Sequence, residues 1–372
     1  MRTFMETGEV AGAVTLIARD GRIIAFDAQG YGDLAQRRVL QKDDLFWVAS
    51  MTKPIVATAV MMLIDEGHVS LDAPVEAYLT EFKNPWMIAE TSTDHQTLRR
   101  PARPVTIRDL LTHTHGLVDI PIPRACTPLA QWVDEVARSP LQFEPGSQWR
   151  YGNASMNTLG RIIEMVSGET LPDFLQKRIF APLGMTDTTF FPTAAQLRRL
   201  AKSYYPSPQD GSLVESPITL INGDLASSHR TIFPGAGLFS TATDMFRFYQ
   251  IFLDEGVFAE NRLLSSNAVK AMTTSQTGTL EAGFSKGMSW SLGMGIVSTP
   301  TGWTDSLPAG SYGHDGASGT SAMVEPSNRL VMILMMQRQR LNPHADGLKY
   351  RQAFHTATMT GLSPSGRAPA LV

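Results

Sequence analysis

The sequence predicts an α/β fold, more narrowly an α+β sandwich in which helices cover both faces of one sheet. β-rich runs lie near the amino terminus, at residues 11–17 and 22–28, and strand character returns late in the chain, from residue 289 onward. Between about residues 73 and 230 the pattern indicates helices and loops, with no convincing strand. The simplest arrangement is one sheet built from both ends of the chain, with a helical region inserted between them.

The early elements follow from turn and helix signals. The first two runs flank Asp20-Gly21, a pair typical of a tight hairpin turn. An apolar run rich in helix formers follows Pro54, which fits a first helical turn, and Gly67 supplies a stop. Thr106-Ile107-Arg108-Asp109 resembles a capping box and opens a helix at residues 107–112. Further helices are predicted at residues 128–138, 154–166, 171–180, 243–255, 266–272 and 347–360.

The late part of the chain carries the remaining strands, which are predicted at residues 289–297, 311–316, 320–325 and 329–337. The run from Leu330 to Met336 is apolar at every position, so we expect both of its faces to be covered. We therefore predict a discontinuous sheet domain from residues 1–72 and 231–372. Residues 73–230 would form an inserted helical domain, with the active site between the two.

Composition excludes several classes of function. The chain has 372 residues, a formal net charge of -3 and no run of Lys or Arg, which argues against nucleic acid and against a polybasic membrane anchor. No apolar run reaches membrane-spanning length. The single cysteine, Cys126, cannot form an internal disulfide, and the amino terminus lacks a signal-peptide pattern. These features predict a cytoplasmic protein.

Ser50 and Lys53 form the only Ser-x-x-Lys pair in the chain. Residues three apart on a helix lie on one face, so the Lys53 ammonium can reach the Ser50 hydroxyl. An alkoxide at Ser50 would be favoured by the helix dipole and by the lysine charge. The alternative is that Ser50 only caps the helix and that Lys53 is a solvated side chain.

Two further signals follow in order: Tyr151-Gly152-Asn153, and His314-Asp315-Gly316 on a late strand. Ser-x-x-Lys, Tyr-x-Asn and Lys- or His-x-Gly in this order resemble the serine β-lactamase and penicillin-recognising peptidase superfamily, in its class C-like branch. Within that branch the chain is most similar to the family VIII carboxylesterases. The resemblance implies an antiparallel sheet with helices on both faces, plus an inserted and mostly helical domain.

The resemblance also implies a role for each motif residue. Ser50 would attack the substrate carbonyl and form an acyl-enzyme, while Lys53 lowers the pKa of the serine. Tyr151, as a phenolate favoured by Lys53, would take the serine proton and return it to the leaving group. Asn153 would orient Lys53 and the acyl group. The backbone N–H groups of Ser50 and Ala317 would form the oxyanion hole.

The third motif departs from the Lys-Thr-Gly usual in lactamases. His314 is largely neutral near pH 7, and Asp315 places a negative charge where lactamases have a hydroxyl. Both changes disfavour an anionic substrate, unless Asp315 points away from the pocket. Some peptidases of the superfamily, however, carry a histidine there and still bind carboxylates. We expect His314, Asp315 and Gly316 to line a pocket for a neutral ester.

Two loops and one His-x-His segment are further candidates for substrate or metal contact. The loop containing Asp119 and Ile120, and the turn containing Phe233, are candidates for lining the acyl or alcohol pocket or for surface packing. His113-Thr114-His115 ends a helix without further ligands at suitable spacing, so no metal site is predicted.

Residues 283–287 match Gly-x-Ser-x-Gly, the nucleophile motif of another hydrolase class. That motif requires a buried strand before it and a helix after it. The flanking residues are polar, small or glycine-rich, so the segment is interpreted as a surface turn.

Together these observations predict a serine carboxylesterase for short-chain acyl esters that uses no cofactor. A β-lactamase, a D-amino-acid peptidase or amidase, and an acyltransferase are alternatives within the superfamily. A non-catalytic binding protein is a further alternative that the joint presence of Ser50, Lys53 and Tyr151 opposes. The physiological ester and the oligomeric state are left open.

Overall fold

The computed structural model describes residues 1–123, 126–218, 220–339 and 346–362. The strands are β1 Gly12–Arg19, β2 Arg22–Asp33, β3 Arg38–Val39, β4 Phe46–Trp47, β5 Met87–Thr91, β6 Gln96–Arg99, β7 Tyr204–Pro206, β8 Leu213–Glu215, β9 Phe239–Ser240, β10 Val257–Phe258, β11 Asn261–Arg262, β12 Met288–Trp290, β13 Gly295–Val297, β14 Tyr312–Asp315, β15 Ser321–Glu325 and β16 Leu330–Met336. The α-helices are α1 Arg2–Glu6, α2 Thr52–Asp65, α3 Ile107–Thr112, α4 Leu129–Arg138, α5 Ala154–Ser167, α6 Leu171–Leu175, α7 Ala181–Leu183, α8 Ala194–Arg198, α9 Ala242–Leu253, α10 Ser266–Thr273 and α11 Asp346–Leu362.

The central sheet has eight strands in the order β12-β13-β14-β15-β16-β1-β2-β3. Its pairings are antiparallel, and β1 lies between β16 and β2, with Leu16 opposite Ile333 and opposite Phe26. The first strands of the chain therefore pair directly with the last one. This confirms the predicted antiparallel sheet built from both chain ends.

Strand β16 is buried along its whole length because both faces of the sheet are covered. Its alternate residues Val331, Ile333 and Met335 pack into the larger core, which α9 also joins. The intervening Met332, Leu334 and Met336 face a second core with Tyr350 and Phe354 of α11. Successive side chains on a strand point to opposite faces, so an all-apolar run is the expected sequence for such a strand.

Local sequence explains where several helices begin and end. The Thr106 side chain accepts a hydrogen bond from the Asp109 N–H and the Asp109 carboxylate accepts one from the Thr106 N–H, which completes the predicted capping box at α3. Helix α5 ends at Gly168, which adopts a left-handed conformation with φ of 73°. Helix α2 begins at Thr52, so Pro54 lies in its first turn as predicted.

The structure differs from the sequence expectations in four segments. Two short hairpins, β5 with β6 and β7 with β8, lie in the region expected to contain no strand. They are short, and residues 96–99 are exposed along their length, so they lack the apolar alternation that marks a strand. The strand expected at residues 289–297 is divided into β12 and β13 by a turn in which Gly293 has φ of 98°. The helix expected at residues 171–180 is α6 followed by a π-helical turn, Gln176–Phe180.

The proposed division into a sheet domain and an inserted helical domain stays a prediction. Of the helices in the described ranges, none combines the length and apolar character needed to cross a membrane.

Candidate active site

Ser50 lies in a tight 3₁₀ turn, Ala49–Met51, between β4 and α2. Ala49 has φ of 48°, a left-handed conformation that is costly for a residue with a Cβ atom. The turn is held by side chains from the loop after β14, because Ser318 Oγ donates to the Trp47 carbonyl at 3.0 Å and Thr320 Oγ1 donates to the Val48 carbonyl at 3.2 Å. Tertiary hydrogen bonds thus fix the position of Ser50 at the start of α2.

Lys53 is fully buried and reaches three acceptors. Its Nζ donates to Ser50 Oγ at 3.3 Å, to Asn153 Oδ1 at 2.8 Å and to the Gly235 carbonyl at 2.7 Å. Burial lowers the pKa of the Lys53 ammonium to about 7, and the Asp119 carboxylate opposes this shift. Near neutral pH the side chain is therefore divided between ammonium and free amine. The alternative of a solvated lysine is wrong.

Tyr151 lies over Lys53, whose Nζ is 4.6 Å from the centre of the phenol ring. The ring is surrounded by other aromatic side chains with centroids 4.7 to 6.2 Å away, namely His113, Trp149, Phe284, Trp290 and His314. This burial raises the pKa of the Tyr151 phenol, although a hydrogen bond with Ser50 opposes the shift. This shift opposes the expected resting phenolate, because desolvation by the aromatic rings favours the neutral phenol.

His314 contacts the same phenol. Its Nε2 lies 3.4 Å from the Tyr151 hydroxyl, and its Nδ1 lies 2.7 Å from the Asp315 carbonyl. Because a carbonyl only accepts, Nδ1 carries the proton and Nε2 is left as an acceptor. Burial lowers the pKa of the His314 imidazole to about 3. The ring is therefore neutral at pH 7, in agreement with the sequence expectation.

Gly316 and Ala317 follow β14 and approach the Ser50 turn closely. A Cβ atom on Gly316 would lie 2.0 Å from Thr320 Oγ1 and 2.5 Å from the Val48 carbonyl oxygen, so only glycine fits. Ser50 and Ala317 line the same pocket of about 330 Å³. Its remaining lining residues are Tyr151, Phe284, Asp315, Gly316, Leu348 and Arg351. The oxyanion hole at Ser50 and Ala317 stays a prediction that this placement allows.

Asp315 does line the pocket, but its charge is not free. Its Oδ1 lies 3.3 Å from Nε of Arg351, a residue of α11. The Arg351 Nη2 also donates to the Gly316 carbonyl at 2.8 Å. The carboxylate expected from the sequence is thus at the pocket wall, and the fold also places a guanidinium beside it.

Asp119, Ile120 and Phe233 do not line the pocket that contains Ser50. They border a separate small cavity, together with Asn153 and residues of α4 and α5. The Asp119 carboxylate accepts from the Asn153 N–H at 2.8 Å and from the Ala154 N–H at 2.6 Å, so it caps the start of α5. Asp119 therefore holds Asn153 in place, and direct substrate contact by these three residues stays a prediction.

The side chains of the His113-Thr114-His115 segment and of the Gly-x-Ser-x-Gly segment make packing and hydrogen-bond contacts inside the fold. His113 is buried with Nδ1 3.2 Å from Ser155 Oγ, and the His115 Nδ1 accepts from the Leu117 N–H at 2.8 Å. Among the residues that the structure describes, no group of three or more potential ligands could hold a metal ion. In the Gly-x-Ser-x-Gly segment, Ser285 Oγ accepts a hydrogen bond from the Trp303 indole at 2.9 Å.

The family model described as Beta-lactamase matches residues 1–357, and the chain belongs to that family of serine hydrolases. One solved structure is that of "EstCE1, a hydrolase with promiscuous acyltransferase activity", which aligns with a TM-score of 0.78 over 96% of this chain and 95% of the other, at 23% identity. That likeness shows the β-lactamase-like fold.

Two relatives resemble the chain in sequence. "Esterase EstB" of Burkholderia gladioli is 30% identical over 358 residues, which cover 88% of this chain and 86% of the relative. "Penicillin-binding protein 4" of Amycolatopsis lactamdurans is 31% identical over 300 residues, which cover 79% of this chain and 72% of the relative. The chain is thus similar both to an esterase and to a penicillin-binding protein.

Sequence reasoning missed Arg351, Leu348, Phe284 and the Gly235 carbonyl. Nothing in the sequence shows which carbonyl a buried lysine will reach. The helix containing Leu348 and Arg351 was predicted at residues 347–360, without a place relative to the site. That its first turns also reach the pocket depends on how the helix is placed, and no local pattern encodes this.

Proposed function

We propose that this protein is a serine carboxylesterase that hydrolyses short-chain acyl esters through an acyl-enzyme on Ser50. The observation that carries the proposal is the contact of Lys53 with Ser50 beneath a pocket whose two charged lining residues, Asp315 and Arg351, are paired with each other. A charge-balanced wall favours a neutral substrate over an anion. The similarity to Esterase EstB supports the same reaction class.

Acylation uses Lys53 as the base. The free amine, at 3.3 Å, takes the Ser50 proton while the serine oxygen bonds to the ester carbonyl carbon. The carbonyl oxygen becomes an oxyanion that the N–H groups of Ser50 and Ala317 would stabilise. When the oxyanion collapses, the bond to the alcohol oxygen breaks and this oxygen takes the phenol proton of Tyr151. The site then holds a Lys53 ammonium and a Tyr151 phenolate.

Deacylation restores both groups. Water attacks the acyl carbon and gives its proton to the Tyr151 phenolate, and the departing Ser50 oxygen takes a proton from Lys53. The sum is one ester and one water converted to one acid and one alcohol. The neutral phenol of Tyr151 in the resting site fits this order of events, because the phenol is the acid in the first half and its anion is the base in the second.

A second candidate is a peptidase or β-lactamase that binds a carboxylate. Arg351 favours it, since a substrate anion could replace Asp315 as the partner of the guanidinium. The relative named Penicillin-binding protein 4 supports it too. The pairing of Asp315 with Arg351 opposes it, because the anion must first break an existing ion pair.

The test compares initial rates on p-nitrophenyl butyrate and on nitrocefin for wild type, Ser50→Ala and Ser285→Ala. Fast ester turnover, slow nitrocefin turnover and loss of both in Ser50→Ala are the expected results. Ser285→Ala is the matched control, and it should retain ester turnover because Ser285 does not line the pocket that contains Ser50 and its hydroxyl accepts a hydrogen bond from Trp303. Comparable efficiency on nitrocefin would favour the second candidate, and full activity in Ser50→Ala would contradict both.

A further inference from the structure

The segment Gly283 to Gly287 borders the active site although its serine does not act there. Of its five residues, Phe284 is the one that lines the pocket containing Ser50 and Tyr151. Phe284 is half-buried. An aromatic side chain at a pocket wall decides which substrate groups fit beside it.

The loop that carries Phe284 is held at both ends. Gly283 and Gly287 have φ of 87° and 84°, and a Cβ atom on Gly287 would lie 2.1 Å from the Thr299 carbonyl oxygen. The Gly287 carbonyl accepts from the Thr299 N–H at 2.8 Å, and Ser285 accepts from Trp303. These contacts fix the loop against its neighbours, so the Phe284 ring is a preformed part of the wall.

Phe284 lines two cavities, and Asp315 is the other residue that lines both. One is the pocket of about 330 Å³ at Ser50, and the other is a smaller cavity of about 20 Å³. The walls of the smaller cavity are largely apolar and include Met288, Trp290, Trp303 and Met323. Removal of the phenyl ring would therefore extend the Ser50 pocket into an apolar space that already exists.

The position of Phe284 relative to Tyr151 indicates which part of the substrate it meets. The two rings pack edge to face with centroids 4.7 Å apart. In the proposed reaction Tyr151 gives its proton to the alcohol oxygen, so the alcohol part of the ester lies on the Tyr151 side of the carbonyl carbon. We propose that Phe284 is a specificity-determining residue that limits the size of this alcohol part. The inference rests on the proposed esterase function.

The test measures kcat/KM on two pairs of esters. Phenyl acetate and 1-naphthyl acetate share the acyl group and differ in the alcohol, whereas p-nitrophenyl acetate and p-nitrophenyl hexanoate differ only in the acyl chain. Phe284→Ala should raise the naphthyl-to-phenyl ratio about tenfold, since pocket fit of this kind changes rates by 10- to 200-fold. The hexanoate-to-acetate ratio should stay within about twofold. Each ratio compares two substrates of the same variant, so a general loss of rate caused by a disturbed Tyr151 lowers both values and cancels.

Two further variants keep the test decisive if Phe284→Ala folds poorly. Phe284→Leu should raise the naphthyl-to-phenyl ratio by less than Phe284→Ala, and Phe284→Trp should lower it. Met288→Ala is the matched control, because Met288 lines only the smaller cavity. Alone it should leave both ratios unchanged, whereas in the Phe284→Ala background it should raise the naphthyl-to-phenyl ratio further.

An unchanged naphthyl-to-phenyl ratio in the folded Phe284 variants would overturn the inference, as would an equal effect of Met288→Ala alone. A change confined to the acyl pair would also overturn it, since Phe284 would then border the acyl group. In each of these cases ester turnover by wild type still supports the proposed function. If folded wild type hydrolyses no ester, the proposed function itself fails and the inference fails with it.

Discussion

The Asp315 carboxylate lies 3.3 Å from the Arg351 guanidinium at the wall of the pocket, with only 16% and 6% of the two side chains exposed. Each charge is shielded from water, so each depends on the other for its stabilisation. The pair sets the electrostatic character of the pocket. The two residues act on a substrate anion in opposite senses, because Asp315 would repel it and Arg351 would attract it.

Breaking this pair should change the preference between neutral and anionic substrates. Asp315→Asn leaves the guanidinium without its carboxylate partner, so the ratio of nitrocefin to p-nitrophenyl butyrate kcat/KM should rise about tenfold. Arg351→Gln leaves the carboxylate unpaired, so the same ratio should fall. Asp305→Asn, which removes an exposed carboxylate, is the control and should leave the ratio unchanged. Equal ratios in all three variants would show that the pair does not govern substrate charge.

The pH profile should report the protonation of Lys53. The free amine is the active form and the pKa of this lysine is lowered to about 7. We expect kcat/KM for a neutral ester to be half-maximal near pH 7 and to fall about tenfold per pH unit below about pH 6, where the ammonium predominates. Lys53→Arg, which cannot lose its proton, should lower the rate by on the order of 10²–10⁴-fold. In this variant the fall of kcat/KM at low pH, which we call the acid limb of the profile, should be absent. A kcat/KM that rises only above pH 10 would identify the Tyr151 phenol, whose pKa is raised by desolvation, as the base instead.

The charge of Asp119 should change the pH at which the acid limb of the kcat/KM profile lies. The Asp119 carboxylate stabilises the Lys53 ammonium and so raises its pKa against the effect of burial. In Asp119→Asn the Lys53 pKa should be lower, and the acid limb of kcat/KM should shift toward lower pH. The asparagine oxygen can still accept a hydrogen bond at the start of α5, which limits structural damage. Asp210→Asn, at an exposed loop position, should leave the limb in place. A shift toward higher pH would contradict the assigned sign.

Gly316 should not tolerate a side chain. Gly316→Ala forces a Cβ atom against Thr320 Oγ1 and the Val48 carbonyl, so it should lower the free energy of unfolding by about 1–3 kcal/mol. It should also lower ester turnover, because relief of the clash moves the Ser50 turn. Gly361→Ala is the control: its Cβ atom would meet open space in a helix, and it should stabilise by up to about 1 kcal/mol. Urea unfolding measures both, and equal stability of the two variants would refute the packing argument.

Much of the fold could be predicted because local sequence fixes local geometry. The capping box at Thr106 and Asp109 and the stop of α5 at Gly168 depend only on neighbours in the chain. The all-apolar run in β16 predicted a strand that is covered on both faces. The short hairpins β5–β6 and β7–β8 were missed because their exposed residues carry no alternating pattern.

The same distinction applies to the site. Ser50 and Lys53 are three residues apart, and helix periodicity alone brings the amine toward the hydroxyl. By itself, the sequence determined this pair, the order of the three motifs and the sheet built from both chain ends.

Only the tertiary structure decided how the site is charged and shaped. It buries Lys53 and desolvates the half-buried Tyr151, which moves their pKa values in opposite directions. It also places Arg351 beside Asp315 and Phe284 against Tyr151. Desolvation and long-range contacts depend on how distant segments pack. No local pattern in the chain encodes that packing, since each of these effects arises between elements far apart in sequence.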